Sequence, residues 1–183
     1  RLDLHGDGYA GWLREVMDAL AIEQAIVAGN SLGGWMALKF AIAYPERVSK
    51  LALIAAAGLA GQNIAFLDTA KAAALKNGAL TMDAAVTAGI ELPPEVMAFI
   101  NLIMDGYNPI SEELPVFTDQ QLLRLTMPLL FVAGKNDVML DSVAGARRLA
   151  RLLPHTEIRL LENIGHMVIN AAEYLLPFVM KEG

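Results

Sequence analysis

Cysteine is absent from all 183 residues, which excludes a disulfide framework, a thiolate metal site and a cysteine nucleophile. Histidine is nearly absent, with only His5, His155 and His166, so candidates for a general base are few. Basic residues are outnumbered: 14 Lys and Arg stand against 20 Asp and Glu, a formal net charge of −6. Nucleic-acid binding calls for clustered cations. The one basic pair, Arg147-Arg148, reads as the solvated side of a helix, and no nucleic-acid partner is expected. A long hydrophobic run is missing too. The longest charge-free stretch, Leu51 to Leu67, is interrupted by Gly58, Gly61, Gln62 and Asn63. It falls short of the roughly 20 residues a spanning helix needs, so no membrane span is expected. No basic region followed by an apolar one near Arg1 suggests a signal peptide, and a cytoplasmic location is the expectation. No cofactor and no metal are implied.

What is present is apolar and ordered in pattern. Hydrophobic residues make up 55% of the chain, enough for a sizeable core at this length. Tyr9, Trp12, Leu13, Val16, Met17 and Leu20 are spaced as one face of a helix. Ala25-Ile26-Val27-Ala28-Gly29 reads as a buried strand, followed by a helix from about Trp35 to Tyr44 that Pro45 stops. Further strands are predicted at about Val48–Ala56, Pro128–Ala133 and Glu157–Leu161, and further helices at about Ser142–Leu153 and Ala171–Met180. Strands alternating with helices predict an α/β fold, a mostly parallel sheet with helices on both faces. Residues 59–115 differ. They are rich in Ala and Met, with turn signals at Asn77-Gly78, Pro93-Pro94 and Asn108-Pro109, and predict a helical insertion.

Between the first strand and its helix stands Gly29-Asn30-Ser31-Leu32-Gly33-Gly34, a G-x-S-x-G motif. In that context the serine occupies the apex of a sharp strand-to-helix turn, with glycines two residues away on either side giving passage to neighbouring backbone. The Leu32 N–H then begins a helix, where donors lack internal partners and negative charge is favoured; an oxyanion can form there. The bland alternative is a Gly-rich turn with an incidental serine. A serine hydroxyl needs a base, and His166 follows the last predicted strand, at the carboxyl end where such sheets gather their sites. His155 precedes its strand at the opposite end, and His5 lies near the chain start. The imidazole in turn needs a carboxylate to orient it. Asp137, just after the strand ending at Ala133, is preferred. Asp141 is the rival and would equally cap the helix at Ser142.

These residues, with Tyr44-Pro45-Glu46-Arg47-Val48, Gly134 to Asp137 and Gly165-His166, resemble the α/β-hydrolase superfamily over nearly the whole chain. The order Ser, Asp, His along the chain is that family's order. The run from Pro115 to Pro128 looks similar to bacterial carboxylesterases, and the Gly-Asn-Ser start of the elbow resembles meta-cleavage C–C bond hydrolases. The resemblance implies a hydrolase core at 1–58 and 116–183 and a helical cap at 59–115. It also implies two-step acyl transfer on a small apolar ester or acyl substrate by Ser31, Asp137 and His166. Hydrolysis of a C–C bond in a vinylogous diketone is the runner-up, and a non-catalytic ligand-binding protein on this fold the reading from another class. Asn30, Phe99, Met104 and Met167 are candidate pocket residues, while Phe66, Leu67, Met82, Met97 and Tyr107 add to the apolar stock of the cap. Leu2 to Gly8 looks like the tail of the family's fourth strand and the loop after it. The family's earlier strands, and the loop that gives a second oxyanion donor, do not precede Arg1. The expectation is that more protein precedes Arg1, or that another chain pairs with the edge at 25–29. The 183 residues alone are then expected to be aggregated or oligomeric, and nearly inactive.

Overall fold

Every apolar run that reads as a strand enters one parallel sheet. The computed structural model describes residues 3–66, 68, 84–106 and 113–181. Strands β1 (Ala25–Asn30), β2 (Val48–Ile54), β3 (Leu129–Gly134) and β4 (Glu157–Leu161) lie side by side in that order, and all three pairings are parallel. Parallel neighbours need crossovers rather than hairpins. Helix α1 (Gly8–Ala19) leads into β1, and α2 (Leu32–Ala43) connects β1 to β2 through a 3-10 turn at Pro45–Arg47. Between β2 and β3 lie α3 (Ala84–Thr87), α4 (Pro94–Gly106) and α5 (Asp119–Leu122), then α6 (Ser142–Leu152) joins β3 to β4 and α7 (Ala172–Met180) follows.

Strand alternation divides the apolar residues between two faces. Leu51, Leu53, Leu129 and Phe131 join Met17, Trp35, Leu38, Phe40 and Leu149, which α1, α2 and α6 bring to one side. Ala52, Ile54, Leu130 and Val132 point the other way, against Val168 and the Phe178 of α7. Helices therefore cover both faces, and β3 is buried at every position. The first strand is different: its exposure alternates, with Ile26 40% exposed, where a uniformly apolar run reads as buried. The second strand stops at Ile54 rather than Ala56 because Ala55 turns to a φ of +43°, outside the extended region.

Residues 4–7 form bends, not the end of a strand. The Asp3 carboxylate accepts the His5 N–H at 3.0 Å, a local bond that competes with extended pairing. Arg148 also departs from expectation. Its guanidinium is mostly buried and donates to the carbonyls of Leu59 and Phe117 and to the Asp119 carboxylate. It therefore ties together both stems of the insertion, which are joined again by Phe117 N–H to the Gly58 carbonyl at 2.9 Å. Arg147 alone is solvated. Fully buried Trp35 reinforces the same place, donating its indole N–H to Pro115 O at 2.9 Å and stacking on Phe117. No helix among the described residues is long and apolar enough to cross a membrane.

Candidate active site

Ser31 makes the whole turn between β1 and α2, since the strand ends at Asn30 and the helix starts at Leu32, three residues before Trp35. Its φ of +52° and ψ of −114° lie where a non-glycine residue is strained by about 1–3 kcal/mol. Three backbone bonds hold it there. Ser31 N–H donates to Ile54 O at 2.9 Å, and Ser31 O accepts from Trp35 N at 3.1 Å and Ala57 N at 3.2 Å. A Cβ on Gly29 would stand 2.2 Å from the Gly33 carbonyl oxygen, so the elbow admits only glycine there. Gly33 itself has open space; the tight position on the helix side is Gly34, whose Cβ would meet Ala56 Cβ at 2.5 Å. Leu32 N–H lies in the first turn of α2, among amides that have no acceptor within the helix.

Asp137 and His166 arrive from the carboxyl ends of β3 and β4 through loops tied to one another. Lys135 N–H donates to Leu161 O and Asn136 N–H to Ile164 O, both at 2.9 Å. His166 is buried; its Nε2 stands 2.9 Å from Ser31 Oγ and its Nδ1 3.0 Å from Asp137 Oδ2. With the proton on Nδ1 facing the carboxylate, Nε2 is free to accept from the serine hydroxyl. Asp137, its side chain 1% exposed, has both oxygens occupied. Oδ1 accepts the N–H groups of Met139 at 2.9 Å and Leu140 at 3.0 Å. Oδ2 takes Ser142 Oγ at 2.8 Å as well as the imidazole. Burial works to raise the pKa of Asp137, but the hydrogen bond and charge of His166, then Leu140 N–H and the Ser142 hydroxyl, outweigh it. Its pKa ends below the ordinary carboxylate value. An imidazole held this way can take a serine proton and be stabilised as its cation.

The loop of His166 has a further neighbour. A Cβ on Gly165 would come within 2.4 Å of Val86 O and 2.9 Å of Ala88 N, and Met167 N–H donates to the same Val86 oxygen at 3.2 Å. Backbone of the insertion therefore rests directly on backbone beside the histidine.

The other sequence candidates are dispersed. Asp141 caps α6 by accepting Ala144 N–H at 2.9 Å. His155 is exposed in the turn before β4, and His5 is exposed among the bends. Asn30 ends β1, opposite Ile54. Met167 is half-buried beside His166, whereas Phe99 lies on α4 and is 62% exposed. Leu67, Met82, Tyr107 and the Met104 side chain fall outside the described residues. Ser142 was not singled out by sequence. Its position in the first turn of a helix gives no signal, and only the return of the chain after Asp137 brings it to the carboxylate.

The model of the alpha/beta hydrolase fold matches residues 3–85. The chain is 30% identical to the uncharacterized carboxylesterase nap of Bacillus subtilis (strain 168) over 169 residues, covering 87% of this chain and 56% of that protein. It is 28% identical to carboxylesterase YbfK of the same strain over 191 residues, covering 91% of this chain and 60% of the other. The crystal structure of naproxen esterase (carboxylesterase NP) from Bacillus subtilis superposes with a TM-score of 0.70 at 27% identity, across 93% of this chain and 65% of that one. The chain thus spans a little under three fifths to three fifths of the length of these curated relatives. A parallel sheet with helices on both faces, a serine at the strand-to-helix elbow and relatedness along nearly all of its residues make this chain a carboxylesterase-like member of the α/β-hydrolase superfamily.

Proposed function

We propose that this protein hydrolyses carboxylic esters of small apolar substrates through an acyl-enzyme on Ser31. The observation that carries the reading is the unbroken chain of contacts from Ser31 Oγ to His166 at 2.9 Å and from His166 to Asp137 at 3.0 Å. In the first step Ser31 Oγ forms a bond to the ester carbonyl carbon while its proton passes to His166 Nε2. Asp137 holds Nδ1–H and balances the imidazolium. Leu32 N–H, at the positive end of α2, receives the carbonyl oxygen as it becomes an anion. The C–O bond to the alcohol then breaks, and the alcohol leaves with the proton from Nε2. Water repeats the sequence on the acyl-enzyme, giving its proton to His166 and releasing the acid and Ser31.

Residues 59–115 act in this reading as a cap over the site. Their described part supports it in two ways: both stems are anchored at Arg148, and α4 presents Val96, Phe99, Leu102 and Ile103 to solvent, an apolar surface suited to an apolar acyl group.

A fluorophosphonate probe, which reacts only with an activated serine, tests the chemistry, and a panel of esters of graded acyl length tests the substrate class. The expected result is labelling of wild type, none of Ser31→Ala, and turnover of at least one ester. An unlabelled wild-type protein would point instead to a ligand-binding protein on a hydrolase fold. Labelling with turnover of a vinylogous diketone alone would move the reaction to C–C bond hydrolysis.

A further inference from the structure

We propose that Ser142 is a positioning residue for the Asp137–His166 pair: its hydroxyl occupies the second acceptor direction of the oxygen that orients the imidazole. This rests on the proposed roles of Asp137 and His166. Ser142 Oγ is 2.8 Å from Asp137 Oδ2, and His166 Nδ1 is 3.0 Å from that same atom. The serine is itself buried, 6% exposed, so water does not readily replace it. The other carboxylate oxygen is taken by two backbone amides. Ser142 is therefore the only side-chain hydroxyl described on this carboxylate, and the four donors match the carboxylate's four acceptor directions.

Sharing one oxygen has a defined consequence. A donor on Oδ2 draws off part of its negative charge, which weakens that oxygen as the acceptor of Nδ1–H. It also limits rotation of the carboxylate about the bond to its ring partner. Without the hydroxyl, a nearly fully buried anion keeps an unfilled acceptor direction. The anion compensates through the histidine, binding Nδ1–H more tightly and with less fixed geometry. The helix-start position explains why a serine can reach: Asp141 caps α6, and Ser142 follows as the first helical residue, with its N–H turned to Leu140 O at 2.8 Å. A purely structural role would be limited to the stability of α6, and the cap already belongs to Asp141.

The test compares wild type with Ser142→Ala, Ser142→Thr and Ser142→Cys in the full chain, reading two independent signals. The first is the low-field proton resonance of Nδ1–H in the Asp137–His166 hydrogen bond, which requires no substrate. It is expected to move downfield in Ser142→Ala, to move part of the way in Ser142→Cys, whose thiol is a weak donor, and to return in Ser142→Thr. The second is ester kinetics: kcat is expected to fall on the order of tenfold in Ser142→Ala with KM little changed, the value of one hydrogen bond to a charged group. The threonine should restore kcat. If the alanine variant does not fold, the cysteine variant carries the same comparison. An unmoved resonance with unchanged kcat, or a threonine variant that folds yet restores neither, overturns the proposal. Should the protein hydrolyse no ester at all, the resonance still decides whether Ser142 governs the pair, so failure of the esterase reading is told apart from failure of this one.

Discussion

Asp137 and Asp141 stand four residues apart on one loop, yet their carboxylates serve different partners. Asp137 Oδ2 meets His166 at 3.0 Å, and Asp141 Oδ1 receives Ala144 N–H at 2.9 Å. Substitution should separate them. Asp137→Asn is expected to lower kcat by about 10⁴, as an amide imposes the wrong tautomer on the imidazole, and to lose the stability that the carboxylate contributes near neutral pH. Asp141→Ala should leave kcat nearly intact and cost about 1 kcal/mol of stability through the lost cap. Kinetics and thermal melts of both variants are the check, and the reverse ranking of kcat would pass the orienting role to Asp141.

Acid should weaken the fold through the same residue. Burial pushes Asp137 toward the neutral acid, but His166, Leu140 N–H and Ser142 prevail, and its pKa lies below the ordinary value. A carboxylate depressed on folding contributes stability that is complete above its unfolded pKa, about 3.9, and is lost as pH falls through the folded one. Urea midpoints of wild type and Asp137→Asn should differ by a constant amount from pH 7 to about 5 and converge below about 4. A difference that grew toward low pH would contradict the depressed value.

The strained elbow allows stability and chemistry to be set against each other. Ser31 at φ +52° occupies backbone space that suits glycine. Ser31→Ala and Ser31→Gly should both lose probe labelling. The glycine variant should nevertheless be the more stable by about 1 kcal/mol, strain relief of about 1–3 kcal/mol less the entropy of a freer unfolded chain. For a chain of this length that corresponds to roughly 2–4 °C in Tm. Equal melting of the two variants would mean that Ser31 is not strained.

Acyl-chain preference reports on the insertion. If Phe99 and Met104 line the pocket, Phe99→Ala or Met104→Ala should shift the optimum along a series of esters by about 1–3 kcal/mol per lost methylene-sized contact. A profile that stays the same in both variants would leave these residues a packing role only.

The sheet and the elbow were legible because their signals are local. A buried parallel strand is a short apolar run, and β2, β3 and β4 begin and end within a residue or two of where those runs do. Ser31, His166 and Asp137 could be singled out because each follows a strand at its carboxyl end. What escaped depends on neighbours far along the chain. Nothing in Ala25 to Gly29 tells which side of β1 goes uncovered. The reach of Arg148 to Leu59 and Phe117 is a property of a long side chain meeting two returning stems. Asp3 turns residues 4–7 aside by a bond to His5 N–H that competes with any extended pattern. Ser142 looks like any small residue opening a helix until the loop folds back on Asp137.

The contact between Val86 and Gly165 couples residues 86–88 to the loop that carries His166. No side chain intervenes: the Val86 carbonyl oxygen stands 2.4 Å from where a Cβ at 165 would be and also receives Met167 N–H. Whatever pushes residues 86–88 outward takes away the back wall of the histidine loop.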